Sequence, residues 1–230
     1  MSWRDEAKIR AASLAADHVR SGMVVGLGSG STAAAAINII GQRIKAGELR
    51  DIRGVPTSYH AVQEAVKAML PLTTLDEYPE LDLGIDGADQ MDSGLNAIKG
   101  GGGALLREKI VASCCKQYIL IVDDTKLAEV LGTNQPVYLE VHPIAVMPVT
   151  RKLEKMGARA VVRQGAGKVG PVVTDNGNTI IDASFGPIQD LNDLNMRLHG
   201  VQGVMETGLF VGYAQRAYVG TRDSVYEITR

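Results

Sequence analysis

The sequence predicts an α/β protein: a doubly wound, Rossmann-like parallel sheet that carries a smaller inserted α+β domain of split-βαβ type. Over residues 1–131, short apolar runs alternate with stretches of helical spacing, a pattern typical of a parallel sheet covered by helices on both faces. The pattern changes over residues 132–203, and residues 204–230 return to strand-like sequence that could rejoin the first sheet. We therefore expect a catalytic α/β domain formed by residues 1–131 and 204–230, with residues 132–203 as a small α+β domain.

The elements of the first domain follow from their apolar patterns. The predicted strands are 23–27, 52–56, 81–85 and 118–122. The predicted helices are 31–45, 58–69 and 104–115, and the opening segment, which contains Lys8, also has helical spacing. The run YILIV at 118–122 predicts a strand that is buried on both faces.

The small domain is predicted from a β-α-β-β-α-β order, which is typical of a split-βαβ unit. Asn176-Gly177 separates two β-rich runs and predicts a hairpin, because both residues tolerate positive φ. The remaining predicted strands are 137–141, 158–163 and 204–210, and the predicted helices are 146–156 and 188–198.

Composition excludes several classes of protein. The 230 residues are 45% apolar, so a sizeable core can be buried and disorder is not expected. The net charge is −2, which gives no electrostatic reason to expect nucleic acid or an anionic membrane as a partner. There is no signal-peptide pattern and no apolar run of membrane-spanning length, so we expect a soluble cytoplasmic protein.

The cysteines and histidines indicate no metal site. Cys114 and Cys115 are adjacent, and neighbouring cysteines rarely form a disulfide with each other. The chain has no spaced cysteine or histidine pairs, so no zinc site is expected, and both cysteines are interpreted as packing in a helix.

The first candidate site is the glycine-rich segment GLGSGST at residues 26–32, which follows a predicted strand and opens a helix. Small residues let the backbone approach an anion, and the first amides of the helix point towards it. A dinucleotide fingerprint requires glycine where this chain has Ser31, and a Walker A loop requires a lysine that is absent. The segment therefore favours a phosphate group, and the alternative is a tight turn capped by Ser31.

The second candidate is GIDGAD at residues 84–89, where Asp86 and Asp89 follow a predicted strand. Ligands of open α/β sheets bind at the carboxyl ends of the strands. An Asx-turn or a metal site would give a similar pattern, so the pair alone leaves its role open.

The third candidate is the segment from Asn96 to Lys109, which contains four consecutive glycines. Such a run is costly in folding entropy, and it makes physical sense where backbone amides converge on a ligand. At about 100° per residue, Glu108 falls on the helix face between Ala104 and Ala112. A carboxylate in apolar surroundings suits proton transfer, and the alternative is an inward glutamate paired with a lysine.

Two lysines are weaker candidates. Lys126 follows the predicted strand 118–122 and could reach a phosphate, and Lys8 lies on the first predicted helix. Either lysine would be an ordinary surface residue if it were considered alone.

Taken together, these motifs resemble the type A ribose-5-phosphate isomerase family over nearly the whole chain. The matching segments, in order, are GLGSGSTA (26–33), VPTSYHA (55–61), GIDGADQ (84–90), IKGGGGALLREKIVA (98–112), VDDTKL (122–127), VTDNGNTIID (173–182) and TGLF (207–210). The segment from IKGGG to REK is highly specific, whereas the first glycine loop alone is not. Gln90 departs from the family's usual GADE.

The resemblance implies an aldose–ketose isomerase that interconverts D-ribose 5-phosphate and D-ribulose 5-phosphate through a cis-enediolate, in the non-oxidative pentose phosphate pathway. It implies Glu108 as the proton acceptor, with Asp86, Asp89 and Lys99 as the other catalytic residues. The implied substrate-binding residues are Lys8, Ser29, Gly30, Ser31, Thr32, Asp86, Gly87, Ala88, Asp89, Lys99, Gly100, Gly101, Gly102 and Lys126. It further implies a homodimer or homotetramer that needs no metal and no cofactor.

Three rival functions stay open at this level. An amino-sugar phosphate deaminase would share the substrate chemistry on a similar fold. A non-catalytic sugar-phosphate sensor would not need a proton-transfer carboxylate, so the set of four residues argues against it: Asp86, Asp89, Lys99 and Glu108. A dinucleotide-binding oxidoreductase is disfavoured by Ser31.

Overall fold

The computed structural model describes residues 2–167 and 169–230. The helices are α1 (Trp3–Ala16), α2 (Gly30–Lys45), α3 (Tyr59–Lys67), α4 (Leu105–Cys114), α5 (Val146–Lys155) and α6 (Leu191–His199). The strands are β1 (Val24–Leu27), β2 (Arg53–Pro56), β3 (Leu83–Asp86), β4 (Gln90–Met91), β5 (Ala97–Ile98), β6 (Tyr118–Asp123), β7 (Val137–Val141), β8 (Arg159–Val162), β9 (Thr179–Ser184), β10 (Val204–Thr207), β11 (Leu209–Phe210), β12 (Arg216–Gly220) and β13 (Val225–Thr229). No helix within the described ranges has the length and apolarity needed to cross a bilayer.

The largest sheet has six strands in the order β13-β12-β6-β3-β1-β2. All neighbouring pairs are parallel except β12 and β13, which form an antiparallel edge. The predicted parallel sheet is thus confirmed, and so is the return of the C-terminal segment to it.

Helices cover both faces of this sheet, and the alternation of residues along β1 separates the two faces. Val25 and Leu27 belong to a core cluster that also contains alanines of α1 and isoleucines of α2. Val24 packs instead with Val111 of α4. The sheet is therefore doubly wound, as the alternating sequence pattern predicts.

A second sheet has four strands in the order β10-β7-β9-β8, and every pair is antiparallel. The elements β7-α5-β8-β9-α6-β10 follow one another along the chain, which confirms the predicted split-βαβ unit. The first arm of the predicted hairpin at Asn176-Gly177 is not a regular strand, since Val173 meets Thr179 only in an isolated bridge.

A third sheet was not predicted, because two of its strands, β4 and β5, have only two residues each. Its order is β11-β5-β4, and both pairs are antiparallel. Two-residue strands carry no readable alternation of apolar and polar residues.

The chain divides into two compact units. The first unit contains Met1–Ala88, Arg107–Leu127 and Gly212–Arg230, and the second contains Asp89–Leu106 and Ala128–Val211. These boundaries differ from the predicted 1–131 and 204–230 against 132–203. The reason is pairing: β4 and β5 join β11, and β10 joins β7, so both segments belong to the second unit.

In the first unit, the backbone of α1 packs closely against the end of β12, and a substitution at Gly220 tests this packing. A Cβ atom added at Gly220 would lie 2.2 Å from the carbonyl oxygen of Ala7. We expect Gly220→Ala to lower the free energy of unfolding by about 1–3 kcal/mol, because backbone atoms must shift to admit the methyl group. Urea denaturation followed by circular dichroism measures this loss.

Gly200→Ala is the matched control for Gly220→Ala. Its Cβ would meet its nearest atom, the Arg197 carbonyl oxygen, at an ordinary 3.4 Å. The stability of this variant should stay within about 0.5 kcal/mol of the parent. Equal urea midpoints for the two variants would contradict the packing of α1 on β12.

Candidate active site

The carboxyl ends of β1 and β3 place Gly28 beside Asp86 in the first unit. These strands are parallel neighbours, with Leu27 opposite Ile85. Asp86 is the last residue of β3 and is only 1% exposed. A Cβ atom at Gly28 would lie 2.3 Å from the carboxyl carbon of Asp86, so only glycine allows this approach.

The Asp86 carboxylate is held by three donors of the first unit. Its Oδ1 accepts hydrogen bonds from the amides of Ser29 (3.1 Å) and Gly87 (2.7 Å). Its Oδ2 accepts from the hydroxyl of Tyr118 (3.1 Å). Hydrogen bonds to an ionised acceptor are stronger than those between neutral groups, so the orientation of the Asp86 side chain is well defined.

Tyr118 was not predicted as a site residue, and it binds one of the predicted carboxylates, Asp86. Burial, followed by the negative charges of Asp86 and Glu108, raises the pKa of the Tyr118 hydroxyl well above its usual range. The phenol therefore stays protonated and donates. A tyrosine within an otherwise apolar buried run signals such a partner, since a buried phenol usually finds one.

Glu108 lies on α4 and is buried, with 5% of its surface exposed. Its negative charge, like that of Asp86, raises the pKa of the Tyr118 hydroxyl. The predicted inward position of Glu108 is thus present in the structure. A buried carboxylate is rare unless it is paired or belongs to a functional site.

The glycine-rich turn between β1 and α2 is built differently from a simple capped turn. Ser29, not Ser31, is the N-cap of α2, and its side chain makes no capping hydrogen bond. Its hydroxyl lies instead 2.8 Å from the Thr57 hydroxyl and 2.6 Å from that of Ser58. Gly30 has a φ of +87°, which favours glycine there.

The other predicted anion-binding residues of the first unit surround the first turn of α2 or follow β6. The ammonium group of Lys8 donates to the hydroxyl of Ser31 at 3.3 Å. Thr32 lies beside Gly87, where an added Cβ would be 3.8 Å from the Thr32 Cβ. Lys126 ends the 3-10 turn after β6 and is partly exposed. Ala88 is the last residue of this segment of the first unit.

In the second unit, the hairpin of β4 and β5 places Asp89 and Lys99 at its open end. Gln90 pairs with Ile98, so the next positions across the hairpin are Asp89 and Lys99. The Asp89 amide donates to the Ile98 carbonyl (2.9 Å). Lys99 is 3% exposed, and its ammonium group lies 5.4 Å from the centre of the Phe210 ring.

The glycine loop follows Lys99 directly. Gly100 has a φ of +119°, and the Gly103 amide donates to the Gly100 carbonyl (2.9 Å), which closes a tight turn. The Gly101 amide donates to Oδ2 of Asp89 at 2.7 Å. Gly102 is exposed, and an added Cβ there would meet no atom within 4 Å. The loop thus presents backbone amides, and one of them already holds an anionic oxygen.

Gln90, the departure from the family motif, has a structural role in the second unit. Its side chain is buried, and its Oε1 accepts a hydrogen bond from the Gly132 amide at 2.7 Å. An amide oxygen and a carboxylate oxygen can both accept this bond. The exchange of glutamate for glutamine therefore leaves this contact available.

Within the described residues, no three His, Cys, Asp or Glu side chains are grouped so that they could hold a metal ion. Cys114 and Cys115 are free thiols, and both are partly buried. They lie at the end of α4, as predicted for packing residues.

Comparisons with known proteins agree in sequence and in structure. A sequence model of the family described as ribose 5-phosphate isomerase A (phosphoriboisomerase A) matches residues 53–224. The chain is 50% identical over 209 residues to ribose-5-phosphate isomerase A of Thermosynechococcus vestitus, which covers 91% of this chain and 89% of that one. It is 42% identical over 226 residues to ribose-5-phosphate isomerase A of Pyrococcus horikoshii, with coverage of 98% and 99%.

Two solved structures show the same fold. A D-ribose-5-phosphate isomerase in complex with phospho-erythronic acid superposes with a TM-score of 0.97, at 42% identity and with 100% of each chain covered. Ribose 5-phosphate isomerase A from Methanocaldococcus jannaschii superposes with a TM-score of 0.94, at 42% identity and with coverage of 98% and 99%.

The environment of Cys115 predicts an unreactive thiol. Burial, followed by the neighbouring Cys114, raises the pKa of Cys115 to about 12. Because the thiolate is the reactive form, its fraction at pH 8 is on the order of 1000-fold lower than for an ordinary cysteine. In a Cys114→Ser variant, a thiol reagent at pH 8 should therefore label Cys115 slowly when the protein is folded and rapidly in urea.

The Cys115→Ser variant, which keeps Cys114, is the control for this experiment. Fast labelling of Cys115 in the folded Cys114→Ser protein at pH 8 would show that the thiol is not buried as described.

Proposed function

The chain belongs to the ribose 5-phosphate isomerase A family and interconverts ribose 5-phosphate and ribulose 5-phosphate, and from this premise we propose that Glu108 moves the proton in that reaction. The burial of the Glu108 carboxylate, whose charge acts on the Tyr118 hydroxyl that is bonded to Asp86, carries the proposal. A carboxylate screened from bulk water can accept a proton and return it without losing it to solvent. Family membership also sets aside the deaminase, sensor and oxidoreductase alternatives.

The reaction moves one proton between two carbons of the open-chain sugar. Glu108 takes the proton from C2, and the electron pair of that C–H bond forms the C1–C2 double bond of a cis-enediolate. Negative charge then appears on the oxygen of C1, and a proton passes to it from the C2 hydroxyl. The protonated Glu108 returns its proton to C1, which leaves a ketone at C2.

Negative charge develops on these oxygens during the reaction. Its stabilisation is assigned to Lys99 and to the amides of the glycine loop. Lys99 supplies a buried positive charge, and Gly102 supplies an exposed backbone N–H group, whereas the Gly101 amide already donates to Asp89. Donors that are fixed before the reaction stabilise such charge without reorganising, and the loss of one typically costs about 3–4 kcal/mol of barrier.

Anchoring of the phosphate is assigned to the start of α2 and to two lysines. The first amides of α2 and the hydroxyls of Ser31 and Thr32 are donors, and Lys8 already contacts Ser31. Lys126 adds a second positive charge. A helix N-terminus with hydroxyl and ammonium donors suits a phosphate, whose binding then helps to position the reacting carbons.

Ring opening is assigned to Asp86 or Asp89. Both are carboxylates of the predicted site, and each orients a backbone amide of its own unit: Ser29 for Asp86 and Gly101 for Asp89. Either carboxylate can exchange a proton with a sugar hydroxyl.

We also propose that the enzyme assembles as a homodimer or homotetramer and works in the cytoplasm, as the resemblance to its family implies. Sedimentation equilibrium measures the mass of the assembly, and a monomer at working concentration would oppose the proposal.

Glu108→Gln tests the assignment of the base. The amide cannot accept the C2 proton, so kcat should fall by about 10²–10⁴-fold, whereas the dissociation constant for substrate should change less than about threefold. A coupled assay for ribulose 5-phosphate gives kcat, and calorimetry with phospho-erythronic acid gives affinity.

Glu129→Gln is the matched control, since Glu129 is exposed and lies outside the assigned residues. It should retain the parent's kcat. If Glu108→Gln turned over at a comparable rate, the proton transfer would have to be assigned elsewhere.

A further inference from the structure

Arg163, which follows β8 in the second unit, binds the backbone of the glycine loop. Its Nη1 donates to the carbonyl oxygens of Gly100 (3.1 Å) and Gly101 (2.9 Å). No motif in the sequence marked this residue, and the functions assigned above do not use it. The contact joins β8 to a loop that is 62 residues away in the chain.

The guanidinium of Arg163 is fixed by its neighbours. Nε and Nη2 donate to Asp182 of β9, with the shortest contact at 2.6 Å. The guanidinium also lies over the Tyr138 ring, 4.8 Å from its centre. The side chain of Arg163 is 16% exposed. A planar, mostly buried guanidinium that is already held by a carboxylate and by an aromatic ring loses little conformational entropy when it binds further acceptors.

These contacts decide which way the amides of the loop point. The described chain contains no cis peptide bond, so the C=O and N–H of each peptide point in opposite directions. The carbonyls of Gly100 and Gly101 both point to Nη1 of Arg163. The next N–H groups, of Gly101 and Gly102, therefore point away from the guanidinium.

The side opposite the guanidinium is suited to an anionic oxygen. The Gly101 amide holds Oδ2 of Asp89 there at 2.7 Å, a short contact between an N–H and a charged oxygen. The Gly102 amide makes no hydrogen bond to the part of the chain that the structure describes, and the space beside Gly102 is open.

Without an external constraint, these peptide planes would be free to turn. Glycine populates positive and negative φ about equally, so a run of glycines has several orientations of similar energy. The Gly103–Gly100 turn fixes only the ends of the loop. A carbonyl that rotated into the site would repel a negative oxygen instead of stabilising it.

We propose that Arg163 is a positioning residue for the isomerisation: it holds the Gly100 and Gly101 carbonyls so that the Gly101 amide keeps its hydrogen bond to Asp89 and the Gly102 amide faces the negative oxygens of the enediolate. This inference rests on the proposed role of the glycine loop. Arg163 does not itself touch the sugar; its effect passes through the loop. Asp182 affects the loop only indirectly, because it fixes the orientation of the Arg163 guanidinium.

Arg163→Met tests the inference, since methionine keeps an apolar side chain over Tyr138 and removes all five N–H donors. We expect kcat to fall about 10- to 100-fold, somewhat less than for the loss of a direct donor, and KM to change less than about threefold. The affinity for phospho-erythronic acid, whose carboxylate resembles the enediolate, should fall by a similar factor. The inhibition constant of inorganic phosphate should stay unchanged.

Arg163→Lys and Arg159→Met complete the series. A single ammonium cannot bridge Asp182 and two carbonyls, so Arg163→Lys should recover only part of the lost kcat. Arg159 is exposed on the same strand, and Arg159→Met should behave as the parent. If Arg163→Met does not fold, Asp182→Asn replaces it, and a smaller loss of kcat and of phospho-erythronic acid affinity is expected.

The outcomes separate the inference from the proposed function. If Arg163→Met is folded and keeps the parent's kcat and inhibitor affinity, Arg163 has no positioning role, whatever Glu108→Gln shows. Equal losses of affinity for phosphate and for phospho-erythronic acid would also overturn the inference, because they indicate general damage. An active Glu108→Gln enzyme would overturn the assignment of the base and leave the inhibitor readout on Arg163 valid.

Discussion

The contact between Gly28 and Asp86 constrains the part of the first unit that carries the candidate site. β1 and β3 must be adjacent and parallel, and both must end at the same edge of the sheet. Residue 28 must lack a Cβ atom, because the Asp86 carboxylate occupies that position. The carboxylate then fixes the Ser29 amide and with it the start of α2. The glycine at residue 28 and the aspartate at residue 86 thus have one physical cause, the meeting of two strand ends.

Each unit orders a glycine-containing segment through hydrogen bonds between a charged side chain and the backbone, and the two side chains have opposite charges. In the first unit, a carboxylate binds backbone amides: Asp86 holds those of Ser29 and Gly87. In the second, a guanidinium binds backbone carbonyls: Arg163 holds those of Gly100 and Gly101. In each case, a buried or mostly buried charge orders a glycine-containing segment that has little preference of its own. Charge-assisted hydrogen bonds are strong enough to select one peptide orientation among several.

Local patterns predicted most of the fold and the segments that carry the candidate site residues, but not the contacts among them. Periodicity was sufficient for the strands of the parallel sheet, for the split-βαβ unit and for the inward face of α4 that carries Glu108. Periodicity could not predict the ion pair between Arg163 and Asp182. That pair depends on the register of β8 against β9, which sets Val161 opposite Asp182. Tyr118 was assigned to a buried strand correctly, but its partner depended on the neighbouring strand. The short strands β4 and β5 were missed because two residues have no period, and the predicted strand 204–210 is divided into β10 and β11.

The identity of each loop glycine follows from a separate constraint, and this explains why the run is long. Gly100 needs a positive φ, and a Cβ there would lie 2.9 Å from the Leu105 side chain. A Cβ at Gly101 would lie 2.6 Å from the Asp89 carboxylate that its amide binds. Gly103 also has a positive φ. Only Gly102 combines room for a side chain with a φ outside the left-handed region, and a side chain there would occupy the open space beside the Gly102 amide. Sterics therefore require three of the glycines, and the fourth keeps an exposed amide accessible to an anion.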